Sequence, residues 1–238
     1  DYRSSDSTLN RFFENVKWSS LANVFSVPTD CPQRNERMGW NGDLSVFSPA
    51  MSYIFNGAQF LRRHQLALRD TQLPGGEFAA IAPVGGGFGG PLWQSAGIVV
   101  PWQSYLQYDD IDALREHYPA MKHYMEMAGT KYIDPAKHYF KGTTTWSDLG
   151  DWLGFEVFKN DNTLIFDSYY VYELGLMSKM ARALGYADDA KAYEKQRQER
   201  IDFINRNYID AATGKTVGCG LSASLDSVWT GHIGTFPK

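Results

Sequence analysis

Pro28-Thr-Asp-Cys-Pro-Gln-Arg-Asn-Glu-Arg-Met-Gly-Trp-Asn-Gly-Asp43 is the stretch on which the reading of this chain turns. It crowds three carboxylates, Asp30, Glu36 and Asp43, together with Arg34, Arg37 and Trp40. Pro28, Pro32, Gly39 and Gly42 disfavour a long regular helix, since proline lacks a backbone donor and glycine loses most backbone entropy on ordering. The segment therefore reads as a shaped loop over 28–46 that aims its acids at a ligand. Cleaving a glycosidic bond needs one carboxylic acid to protonate the departing oxygen and a second carboxylate opposite it. Glu36 stands between two anionic neighbours that favour the acid role, with Arg34 and Arg37 opposing them if they turn inward. A surface loop stitched by arginine–carboxylate pairs uses the same residues, and the stretch alone leaves both readings open.

The bulk of the chain narrows the classes. Its 238 residues suffice for one sizeable core, so a single domain over 1–238 is expected. A hydrophobic share of 43% with 21% charged residues excludes wholesale disorder. The net charge of −4 argues against a nucleic-acid partner, which calls for a basic face. No apolar run is long enough to span a bilayer. Cys31 and Cys219 form neither a disulfide framework nor a metal spacing, and the five histidines show no compact ligand set. No metal and no cofactor are expected. The compartment is not written in the residues; a periplasmic or secreted bacterial location is expected over a cytoplasmic one.

Two other motifs invite a functional reading. Gly85-Gly-Gly-Phe-Gly-Gly90 formally fits the dinucleotide fingerprint, but Pro91 follows and strands do not alternate with helices, so a flexible or ligand-hugging loop is expected. Thr143-Thr-Thr-Trp-Ser-Asp-Leu-Gly-Asp-Trp-Leu153 suits a sugar, with Asp148 or Asp151 accepting from hydroxyls and Trp146 or Trp152 stacking. A capped turn with buried indoles fits that stretch as well.

Apolar spacing elsewhere is helical. Leu9, Phe13 and Val16 share a face behind a cap at Asp6 or Ser7. Tyr53, Gly57, Phe60, His64 and Leu68 trace a helix started at Ser48-Pro49. Further helices are expected over Ala96 to Tyr108, started or kinked at Pro101, and from Ile111 to Met125, bent or divided at Pro119. Tyr170, Leu174, Met177, Ala181 and Leu184 close at Gly185, and Ala190, Tyr193, Arg197, Ile201, Ile204 and Tyr208 follow. Lys191 to Arg200 reads as the solvated side of that last helix, and Thr163–Phe166 is the best strand candidate. Long loops at 28–46, 71–94 and 139–167 suit function. The class is all-α, built from helical hairpins.

At the level of motifs, Asp30-Cys-Pro-Gln-Arg-x-Glu-Arg-x-Gly-Trp-x-Gly-Asp43 resembles the signature of the α-L-rhamnosidases of glycoside hydrolase family 78. Ile81-Ala-Pro83, Ile98-Val-Val-Pro-Trp102 with Tyr105-Leu106, and Gly150-Asp-Trp-Leu153 agree in order. The resemblance implies an (α/α)6 toroid, a six-hairpin glycosidase domain, with the site at a funnel. It implies Glu36 as general acid, Asp30 and Asp43 on rhamnose hydroxyls, Arg34 nearby and Trp40 shaping the pocket. Trp93, Asp151 and Trp152 fall in segments that line the same site. The substrate is a rhamnose-containing glycan or glycoside, cleaved with inversion, and β-sandwich domains accompany the toroid in a full-length parent. The family's general base lies farther towards the C-terminus than this chain reaches. Such a toroid has twelve helices, and the periodicity yields about six or seven. The expectation is thus an incomplete toroid: a fragment, a sequence with intervening residues missing, or a degenerate relative that binds sugar without the base. A helical interaction module is the remaining alternative.

Overall fold

The computed structural model describes residues 2–134 and 163–216. Asp151 and Trp152, the rest of the 143–153 cluster, Cys219 and the tail beyond residue 216 lie outside the described residues.

Helix α1 (Ser7–Ala22) begins where Asp6 Oδ1 accepts from the amides of Thr8, at 2.7 Å, and Leu9, at 3.3 Å. Two of the donors that any helix start leaves without partners are satisfied in this way. A two-residue hairpin follows, β1 (Val24–Phe25) against β2 (Val27–Pro28), antiparallel. It is the only paired ladder among the described residues, so the all-α expectation holds.

The next helices depart from the periodicity. Helix α2 runs over Asn41–Ile54 and α3 over Ala58–Asp70. The single helix expected to start at Ser48-Pro49 is therefore two helices, parted at Phe55, Asn56 and Gly57. Asp43 lies in the first turn of α2, so the 28–46 loop ends at Trp40. Pro49 sits inside α2, and the Ser45 carbonyl that it leaves without a helical donor accepts from Ser48 Oγ at 3.4 Å. The pattern misled because Tyr53, the first residue of the supposed apolar face, is 82% exposed.

A four-residue turn, α4 (Pro91–Gln94), leads through Ser95 into α5 (Ala96–Tyr108). Helix α6 (Ile111–Met127) continues through Pro119 undivided and ends in a π-helical turn over Ala128–Tyr132. Pro101 leaves the Gly97 carbonyl unbonded within α5, and buried His117 of α6 takes it through Nε2 at 3.0 Å. Arg69 Nη1 stands 3.4 Å from His117 Nδ1; arginine only donates, so the ring proton is on Nε2. Burial first, and the Arg69 charge after it, push this imidazole down to about 3. A helix-breaking residue thus becomes a tie between two helices.

The Thr163–Phe166 strand candidate opens α7 (Thr163–Leu184) instead. Its end is a Schellman turn: Gly185 takes φ +81°, its amide donates to Arg182 O at 3.1 Å, and Tyr186 donates to Ala181 O at 2.8 Å. Helix α8 (Ala187–Tyr208) buries Ala190, Tyr193, Ile201, Ile204 and Tyr208. Arg200 departs from the solvated-face reading. It is buried, and its Nε lies 3.4 Å from Asp167 Oδ1 on α7.

The helices form two rows, α2, α5 and α7 in one, α3, α6 and α8 in the other. The second row is joined on its outside by Arg62 of α3 to Asp110 and Glu116, both 3.1 Å, and by Lys122 of α6 to Asp189 of α8 at 3.0 Å. In the first row, Ser45 Oγ stands 3.4 Å from Ser95 Oγ and 3.5 Å from Tyr169 Oη. These hydroxyls gather the N-terminal ends of α2, α5 and α7, so the described segments entering α2 and α5, 29–40 and 71–95, meet at one end of the row. No described helix is long and apolar enough to cross a membrane.

Candidate active site

Between Thr29 and Trp40 the chain folds on itself through side chains. Asp30 Oδ1 accepts from the Met38 amide at 2.9 Å, and the Asp30 amide donates to Met38 O at 3.0 Å. Asp30 Oδ2 accepts from Arg34 Nη2 at 3.0 Å, so its side chain is only 5% exposed. The same guanidinium donates through Nε to Glu36 Oε2 at 2.8 Å. The other oxygen of Glu36 accepts from Trp40 Nε1 at 2.7 Å. One arginine therefore bridges two carboxylates, and one indole fixes the second oxygen of Glu36, leaving that side chain 34% exposed. Arg34 turns inward, whereas Arg37, at φ +49°, reaches the Pro32 carbonyl at 3.3 Å.

Asp43 joins from the first turn of α2, where a carboxylate also meets the positive end of the helix. Protein atoms crowded about its carboxyl, and the charges of Asp30 and Glu36 after them, raise its pKa above the ordinary value against the lowering pull of its own backbone amide. Trp93 of α4 is drawn to the same end. A Cβ on Gly42 would stand 2.7 Å from its indole, and one on Gly89 would stand 2.5 Å away. Only residues without a side chain let this ring lie so close to both α2 and the glycine loop.

That loop is no dinucleotide site: Gly85, Gly86, Gly87, Gly89 and Gly90 all take positive φ, and Gly90 opens only the four-residue α4. It carries Phe88, 45% exposed, edge-on to Trp40 with centroids 5.3 Å apart at 68°. Phe88 was not a site candidate from the sequence; an apolar ring placed among glycines was the available signal. Asn41 was passed over too, although it sits inside the motif.

The structure thus brings together Asp30, Arg34, Glu36 and Trp40 by direct bonds, with Asp43 and Trp93 beside them. Ligand-type atoms of Asp30, Cys31 and Glu36 lie within 4.8 Å of one another. Arg34 already bridges two of these residues, so a cation there would have to displace the guanidinium. Chemically the cluster can offer a carboxyl to a leaving oxygen, carboxylates to hydroxyls, and indole faces to a sugar ring.

A family model described as the bacterial alpha-L-rhamnosidase 6 hairpin glycosidase domain matches residues 1–231. The chain belongs to that family. It is 34% identical over 190 residues to an α-L-rhamnosidase of Streptomyces avermitilis, an alignment covering 78% of this chain and 17% of the relative. An α-L-rhamnosidase of an Alteromonas species is 28% identical over 221 residues, 88% of this chain and 23% of the relative. The crystal structure of the S. avermitilis enzyme complexed with L-rhamnose superposes with a TM-score of 0.80 at 29% identity, covering 91% of this chain and 20% of that one. The α-L-rhamnosidase of Dictyoglumus thermophilum gives 0.76 at 29% identity, covering 89% and 24%. The chain is a six-hairpin glycosidase domain that spans about a fifth of the length of these relatives.

Proposed function

We propose that this chain carries the general acid of an α-L-rhamnosidase site that hydrolyses terminal α-L-rhamnosyl groups from glycans or glycosides with inversion. The observation that carries the reading is Glu36, held at both oxygens by Arg34 and Trp40 beside Asp30, in a family whose relatives are named for this reaction. Asp30, Asp43 and Arg34 hold the sugar hydroxyls, and Trp40 and Trp93 line the pocket; for Asp151 and Trp152, outside the described residues, the family resemblance alone supports a role in binding the sugar.

The geometry supports one order of events. In the arrangement seen, both oxygens of Glu36 accept, so neither presents a proton outward. For Glu36 to act as acid, Arg34 Nε must leave Oε2, its Nη2 remaining on Asp30. Oε2, once free, takes up a proton from solvent and gives it to the departing oxygen while Trp40 keeps Oε1 in place. A rhamnose hydroxyl arriving at Asp30 or Arg34 provides the occasion for that exchange. Water adds from the opposite face under a second carboxylate, which belongs to the remainder of the site.

Proton NMR of the first-formed sugar, with the full natural polypeptide and an α-L-rhamnoside, tests the reading. Initial release of β-L-rhamnose is expected; release of the α-anomer first, or no hydrolysis, would overturn it. The same preparation titrated with L-rhamnose separates a catalyst from a sugar-binding relative, which would show heat of binding and no turnover.

A further inference from the structure

Helix α2 starts without the usual device. Its N-cap is Trp40, which has no oxygen to offer the first amides, and no side-chain cap bond is formed. Yet the start must be fixed closely, because Trp40 holds Glu36. A slip of one residue would swing the indole by about 100° around the helix axis. The fixing falls to Asn41, the fully buried first residue of the helix. Its amide donates to Ala80 O at 2.8 Å and its Nδ2 to Ala79 O at 2.6 Å. Its Oδ1 stands 2.9 Å from His64 Nε2 on α3. Gly39, two residues before, accepts from the Ala82 amide at 3.0 Å, so residues 39–41 and 79–82 form a short antiparallel bridge around Trp40 and Ile81.

The sense of each bond is determined. Asn41 Nδ2 is spent on a carbonyl, so its oxygen faces His64, whose Nε2 must carry the ring proton. His64 Nδ1 is then a bare acceptor, buried with no hydrogen-bond partner among the described residues. An unsatisfied buried acceptor costs stability, and a methionine or leucine would fill the space without it. Packing alone therefore does not explain this imidazole. Burial, followed by the Arg63 charge, lowers it to about 4, so it is neutral in the working range and the bond sense is constant.

We infer that His64 and Asn41 are positioning residues for the proton donor: His64 orients the Asn41 amide, Asn41 locks the first turn of α2 to the 79–82 segment, and Trp40 at that turn aims Glu36. The inference deepens the proposed function and rests on Glu36 being the acid.

The test compares His64→Met, His64→Gln and Asn41→Ala in the full natural polypeptide. Glutamine can still donate to Asn41 Oδ1; methionine cannot. Turnover is measured on an alkyl α-L-rhamnoside, whose leaving group needs protonation, and on an aryl rhamnoside with an activated leaving group, alongside L-rhamnose binding and thermal melting. For His64→Met and Asn41→Ala the expected result is a kcat loss of about 10²-fold on the alkyl substrate, as for an ångström-scale misplacement, and a loss of a few-fold on the activated one. His64→Gln should stay within a few-fold of wild type on both. Equal losses on the two substrates, no loss, or His64→Gln as damaged as His64→Met would overturn the inference. If Asn41→Ala does not fold, the two His64 variants carry the comparison alone. A wild-type protein that neither binds nor hydrolyses rhamnosides would instead overturn the functional reading.

Discussion

Between Asp30 and Trp40 the chain is held by side-chain hydrogen bonds around Arg34, Trp40 and Met38, with Cys31 and Gly39 its buried residues. Helices α7 and α8 are held the other way, by Leu164, Val171, Leu174, Met177, Ile201, Ile204 and their neighbours, all removed from water. Apolar burial supplies the driving force of folding and has no direction. Hydrogen bonds add little net stability each but fix orientation. The difference assigns stability to the hairpin and aim to the loop, so a substitution in one region should leave the property of the other nearly intact.

The largest effect on stability is expected at Leu174, which is 0% exposed in the main core. Leu174→Ala should lower unfolding stability by about 2–5 kcal/mol in denaturant melts, while L-rhamnose affinity of the folded protein stays close to wild type. Loss of binding in step with stability would erase the distinction between the regions.

Glu173 sharpens it with pH. Its carboxyl is buried on α7 against Tyr124 Oη at 3.1 Å, and burial, opposed by that hydrogen bond, raises it to about 8. The folded state therefore keeps a proton that the unfolded chain releases above about 4.5. Its contribution is full below the unfolded value and is lost as pH rises through about 8, at up to about 1.4 kcal/mol per pH unit. His64 and His117, lowered to about 4 and about 3, act in the opposite sense: their contribution is present above about 6.5 and lost as pH falls. Melting between pH 5 and 8.5 should show Glu173→Gln more stable than wild type at the alkaline end, by on the order of a few kcal/mol, and similar to it at pH 5. Parallel curves for the two proteins would contradict the buried neutral acid.

At Asp6 the expected change is smaller. Asp6→Ala removes the cap of α1 and should cost about 1 kcal/mol in the same melts, with no change in substrate handling. Arg34→Ala should be the mildest for stability, since its side chain is 56% exposed, and melting should stay close to wild type. Turnover of an alkyl rhamnoside should nevertheless fall on the order of tenfold or more, because Asp30 loses the donor that orders it and the sugar loses a hydroxyl contact. A large drop in melting temperature without loss of turnover would reverse the assignment.

The same contrast governs what could be read from the residues. Helices α5, α7 and α8 were legible because their buried positions recur at helical spacing and their ends carry plain signals, as Gly185 does. The α2–α3 break was not, because Met51, the buried apolar side chain at the end of α2, lies off the Tyr53–Leu68 line. Thr163–Phe166 looked extended because β-branched and aromatic residues favour strands, but Leu164, Ile165 and Phe166 are all buried by helical packing, which overrides propensity. At the site, Glu36, Asp30 and Arg34 stood out as residue types within one motif. Asn41 and His64, 23 positions apart, became a pair only through the fold.

Glu36→Gln in the full natural polypeptide, assayed on an alkyl and on an activated aryl α-L-rhamnoside, tests the account most directly. Glutamine can accept from only one of Trp40 and Arg34, which donate to opposite oxygens of Glu36, and it has no acidic proton to give. A loss of roughly 10²–10⁴-fold is expected on the alkyl substrate and a much smaller loss on the activated one. Equal losses on both, or none, would contradict Glu36 as the proton donor.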